Sequence, residues 1–134
     1  MKKTIAFALL VIVPVSLCAS GGQADGRDEK LQKLMEAKLK NSQRLLEGMA
    51  LADFGKMTRS AEKLLHITKS DEWMVIDSKR YEALSNEFQR SVETVLRKAR
   101  AKNLDGVALS YFDMTLSCLR CHQYVHEVKS AGAE

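Results

Sequence analysis

Past Pro14 the chain contains no proline, and its apolar side chains return at steps of three and four residues. Without proline no helix is forced to break for want of an amide donor, and a three-to-four period marks one face of an α-helix. Both features predict an all-α fold. Leu31, Leu34, Met35, Leu39, Leu45, Leu46 and Met49 trace a long amphipathic helix over about 28–51, with lysines and glutamates between them. Asp25 or Asp28 can cap its start, and Gly48 with the Leu51-Ala52-Asp53 stretch marks its end. Asp53 offers an N-cap to a second helix carrying Phe54, Met57, Ala61, Leu64, Leu65 and Ile67, which Thr68 to Asp71 interrupt. The run Trp73-Met74-Val75-Ile76 fits neither regular period and suits a buried connection. From Lys79 to about Lys102 the set Tyr81, Leu84, Phe88, Val92, Val95, Leu96 and Ala99 predicts a third helix. Asn103 and Gly106 then supply a turn. Asp105 can cap a fourth helix bearing Val107, Leu109, Phe112, Leu116, Leu119, Val125 and Val128. Four helices with short connections predict an antiparallel up-down-up-down four-helix bundle, whose facing helices build any cofactor site from inward side chains.

The first residues read differently. Lys2 and Lys3 precede an apolar run from Thr4 to Leu17 that is short for a membrane span and suits a secretory signal peptide. Residues 1–20 form that segment, with cleavage after Ser20 or as late as Ala24. Cys18 raises a lipoprotein alternative, in which it would become a lipidated first residue and the only membrane link, although Leu17 is bulky for the position before it. Export implies a periplasmic location. Roughly 110 residues then remain, enough for one domain over 25–129, followed by a disordered tail at 130–134. Loss of Lys2 and Lys3 leaves 19 basic against 17 acidic residues. That near balance, without a basic stripe interleaved with aromatics, argues against nucleic-acid binding.

Near the other end stands Cys118-Leu119-Arg120-Cys121-His122, a C-x-x-C-H motif. This spacing is the signature of covalent haem attachment: each thiol adds across a porphyrin vinyl group as a thioether, and the adjacent histidine serves as proximal iron ligand. A thioredoxin-like dithiol would expect a βαβ context, and a zinc site would expect a second ligand pair. The sequence shows neither. Removal of Cys18 leaves only Cys118 and Cys121, so no disulfide framework competes for them. No acid/base or nucleophile constellation accompanies the motif, which predicts a non-enzyme.

A single C-x-x-C-H in the last of four helices resembles cytochrome c′ and its low-spin relatives, the class II cytochromes c. Cys118, Cys121 and His122 carry the match, which in length and helix order covers essentially the whole chain after the signal. The family often places an aromatic and then Arg or Lys three and four residues beyond the proximal histidine, where this chain has Val125 and His126. The resemblance implies one haem c inside the bundle near one end, held through Cys118 and Cys121 with His122 on the iron. It also implies a sixth iron position governed by the first helix, occupied by methionine or left open beneath an apolar side chain. Counting equal rises from the ends of antiparallel first and last helices, Met35 falls level with His122. A thioether there would give a His/Met pair suited to single-electron transfer with redox partner proteins. Core filler is the ordinary role of a helical methionine, and with Met35 turned away Leu31, Leu34 or Leu39 would cap an open site for a diatomic gas such as NO or CO. His66 is a further ligand alternative, and His126, Arg120 and Lys129 are propionate candidates that also suit solvated surface. Trp73, Tyr111, Phe112 and Tyr124 could pack on a porphyrin or fill the core. A haem-free helical module using Cys118 and Cys121 as a dithiol is a third reading, and the resemblance also admits a homodimer.

Overall fold

The computed structural model describes residues 22–132, so the expected signal segment and Cys18 lie outside the described residues. Among the described residues the protein is all-helical, with four α-helices and no strand: α1 Gly22–Ala50, α2 Phe54–Ile67, α3 Lys79–Arg100 and α4 Leu104–Ala131. This arrangement is compatible with a four-helix bundle. A short 3-10 turn, Asp71–Trp73, lies in the connection between α2 and α3.

Helix starts follow local chemistry. The Asp53 carboxylate accepts the Lys56 N–H at 2.8 Å, satisfying one of the amides that the first turn of α2 leaves without a partner. Ser78 does the same for α3, its Oγ accepting the Tyr81 N–H at 3.1 Å. For α4 the cap is Asn103, whose Oδ1 accepts the Gly106 N–H at 2.8 Å. The expected cap, Asp105, instead sits in the first turn, where its charge complements the positive end of the helix dipole. α1 begins six residues before the expected start, so Asp28 is an interior residue rather than a cap. At the other end of the chain α4 runs to Ala131, so Ser130 and Ala131 are helical and not a disordered tail. Lys129 and Ser130 face water while remaining in the backbone ladder, and composition does not reveal that continuation.

α1 and α3 end alike. Ala52 and Lys102 take φ of 51° and 53°, left-handed positions that turn the chain while Asp53 N–H reaches Gly48 O at 2.8 Å and Asn103 N–H reaches Lys98 O at 3.1 Å. Gly48 also permits close approach: a Cβ there would lie 2.8 Å from Met57 Cγ, so α1 and α2 could not sit as near with any other residue.

Leu45, Met57, Leu64, Trp73, Phe88, Val92, Val95, Val107 and Met114 form one continuous core drawn from all four helices and the 3-10 turn. Consecutive helices pack broadly: α1 on α2, α2 on α3, and α3 on α4. The pair α1 and α4 touches sparingly, and this unequal closure positions the site.

Candidate functional site

Steps of three and four along α4 bring Tyr111, Met114, Thr115, Cys118 and His122 onto one strip. The same periodicity on α1 aligns Gln32, Met35, Leu39 and Ser42, with Lys38 beside them. The two strips face each other across a cavity of about 430 Å³, in the size range of cofactor and ligand pockets. Met35, Cys118 and His122 therefore line a common space although they are more than eighty residues apart in the chain. Leu31 and Leu34 are not among its lining residues, and Leu39 is.

Cys121 is half-buried, one turn from Cys118. Burial pushes both thiols above their ordinary range, and the Lys38 charge opposes that rise at each. His122 stands at the rim. Though exposed overall, it loses some hydration there, which lowers its pKa, and the Lys38 charge adds to the effect. The imidazole is thus favoured in the neutral form that can donate a nitrogen lone pair to a metal. Tyr81, behind Cys121, is pushed up to about 12 by burial and donates its hydroxyl proton to the Trp73 carbonyl at 2.7 Å.

Lys38 is the residue that sequence reasoning missed. It is 6% exposed, and its Nζ lies 3.8 Å from the Phe88 ring centroid and 4.7 Å from that of Trp73. Burial lowers its pKa, an effect countered by the neighbouring Cys118 and Cys121. The signal for its burial was present: Leu34, Lys38, Asn41 and Leu45 follow steps of four, three and four, which puts Lys38 on the core face of α1.

Other candidates lie elsewhere. His66 is exposed in the last turn of α2, outside the cavity. Arg120 pairs with Glu87 of α3 on the surface, and Lys129 is exposed. His126 is exposed, its Nδ1 3.4 Å from Ser130 Oγ, and with Leu119, His122, Gln123 and Glu127 it borders a shallow outer groove. Trp73 is core, its ring centroid 5.6 Å from that of Phe88, and Phe112 is exposed. Tyr124 bonds Ser78 Oγ at 2.8 Å, tying α4 to the capping residue of α3.

Among the described residues no group of three or more His, Cys, Asp or Glu side chains converges as a metal cage, and no helix is long and apolar enough to cross a membrane. What the cavity offers is the Cys118 thiol, the His122 imidazole, the thioethers of Met35 and Met114 and a largely apolar wall, while Cys121, one turn along α4, is not among its lining residues; with Cys121 alongside, this donor set fits a flat macrocycle carrying its own metal. No protein-family model, curated protein or solved structure matches the chain.

Proposed function

We propose that the protein is an exported, periplasmic class II c-type cytochrome that carries single electrons through one covalently held haem. The observation that carries this reading is the shared cavity, which receives Met35 from α1 and Cys118 and His122 from α4. Cys118 and Cys121 would hold the porphyrin as thioethers, His122 would serve as proximal ligand and Met35 as distal ligand. Bound there, haem c supplies a one-electron ferric/ferrous couple. In this reading the helices run up-down-up-down, with the haem inside the bundle near one end.

The chain's own residues perform the remaining tasks. Tyr111 and Met114 give the cavity an apolar wall on the α4 side. Neutral His122 keeps its ligating nitrogen available, and Met35 offers a soft, uncharged sulfur that favours the reduced metal. No proton transfer or substrate chemistry is required of any side chain, so the protein acts as a carrier to protein redox partners and not as an enzyme.

A second reading draws on Leu39, which lines the same cavity and stands 61% exposed. With Met35 withdrawn, this apolar side chain would face a five-coordinate site suited to NO or CO. Absorption spectra of the haem-loaded protein, oxidised, reduced and treated with carbon monoxide, separate the readings. A low-spin spectrum with a sulfur-to-iron band that Met35→Ala abolishes is expected; a high-spin parent that binds carbon monoxide at once would give the gas-binding reading. Absence of haem absorbance from the denatured parent would leave the dithiol module.

A further inference from the structure

Among the described residues Lys38 is the only charged side chain in the buried set, and no carboxylate pairs with it. Its ammonium rests against the faces of Phe88 and Trp73 at 3.8 Å and 4.7 Å. Ring faces attract a cation, but they offset only part of the cost of removing it from water. An apolar side chain of the same length would fill this place between Leu34 and Leu45 at lower cost, so the charge calls for a use. The location indicates one. Lys38 lines the cavity shared by Cys118 and His122, and its charge bears on Cys118, Cys121 and His122 alike. The propionates of a porphyrin leave from the edge opposite its vinyl groups. A cation lining the same cavity as Cys118 would therefore not be placed to be neutralised by a propionate.

Resting on the haem reading above, we propose that Lys38 is a fixed, non-ligating positive charge at the thioether edge of the pocket, raising the reduction potential of the couple. When the ferric centre accepts one electron from a protein redox partner, no bond forms or breaks and the net charge of the site falls by one. A nearby unneutralised cation favours that change, and the low-polarity surroundings of Phe88 and Trp73 screen it less than water would. Lys38 thus acts through charge, while the phenyl and indole rings hold it in place.

The test is a spectroelectrochemical titration of the full-length, haem-loaded protein, comparing the parent with Lys38→Met and Lys38→Arg. Lys38→Met should make reduction at least tenfold less favourable, a 59 mV fall for a one-electron couple. Lys38→Arg, which keeps the charge, should stay within that interval of the parent. Axial-ligand bands should be the same in all three. An unmoved potential in Lys38→Met overturns the proposal, and so does loss of the parent's axial-ligand band in that variant, because Lys38 would then be an iron ligand. Should Lys38→Met accumulate poorly, neutral Lys38→Gln carries the same expectation. A denatured parent without haem absorbance overturns the haem reading and this role together, whereas attached haem with an unmoved potential overturns the charge role alone.

Discussion

The seam between α3 and α4 and the seam between α4 and α1 share one helix, yet one is closed and the other is not. On the first, Phe88, Val92, Val95, Val107 and Met114 are at most 1% exposed and fill one another's gaps. On the second, Met35, Leu39, Tyr111 and Cys118 line a cavity, and Leu39 stands more than half exposed. Apolar surface left facing open space gains nothing from burial until something covers it. The contrast teaches that this fold's stability and its proposed cofactor chemistry rest on two neighbouring strips of one helix, α4, which meet at Met114, a core residue that also lines the cavity. Changes on the closed side should therefore act on folding, and changes on the open side on loading.

Replacing both thiols tests that separation most severely. Cys118→Ser with Cys121→Ser should abolish all haem absorbance that survives denaturation, while the unfolding free energy of the haem-free protein changes by less than about 1 kcal/mol, as for partly exposed positions generally. A variant that no longer folds would place the cysteines in the structural seam and break the comparison. Phe88→Ala should do the reverse. Truncating this fully buried ring, which also holds Trp73 and the Lys38 ammonium, should cost about 3–5 kcal/mol in denaturant unfolding. Leu39→Ala on the open side should cost less than about 0.5 kcal/mol. Equal losses at the two positions would mean that the cavity is closed in solution.

Much of this architecture was legible in the sequence because it depends on local rules. The absence of proline after Pro14 and the three-to-four spacing required helices, and Asp53 marked the first turn of α2 because its carboxylate satisfies an amide that the backbone cannot. Lys79 as the start of α3 was likewise readable from spacing. The motif named Cys118, Cys121 and His122 by spacing alone. The less local features were not readable. Leu39 and Leu45 look alike in sequence, but Leu45 is fully buried and Leu39 is open, because the rotation of α1 against α2 and α4 decides which stripe is covered. Measured from the observed helix ends, the level of His122 falls at Leu31, yet the cavity takes in Met35, since helix length does not fix helix stagger. Lys38 escaped notice because a lysine among lysines reads as solvated, although its position in the run from Leu34 to Leu45 put it inside.

A subtler way to sharpen the comparison acts on the start of the helix that the two seams share. Asn103→Ala removes the side-chain acceptor that holds the Gly106 N–H at 2.8 Å, and Asp105 in the first turn does not replace it. A loss of about 1 kcal/mol in unfolding free energy is expected, with haem loading and absorption spectrum unchanged. Loading that fell with stability would show that the open face depends on the fraying of α4 and would weaken the division of labour.

The smallest expected effect concerns the thiols themselves before any haem is attached. Burial raises both, so less of each is thiolate at neutral pH than in an ordinary cysteine, and the thiolate is the reactive form. In haem-free folded protein, carboxymethylation of Cys118 and Cys121 should be slower at neutral pH than in the unfolded chain. As pH rises through and beyond the usual thiol range, the folded rate should climb towards the unfolded one. The sign follows from the direction of the shift: a group raised by folding releases its proton later, so the protection is present at low pH and disappears as the solution becomes alkaline. The neighbouring ammonium works against burial, so Lys38→Met should slow the reaction further and move the climb to higher pH. A faster reaction in Lys38→Met would mean that the lysine shields the thiols by bulk and not by charge. That outcome would place Lys38 with the closed seam, as packing, and not with the open one.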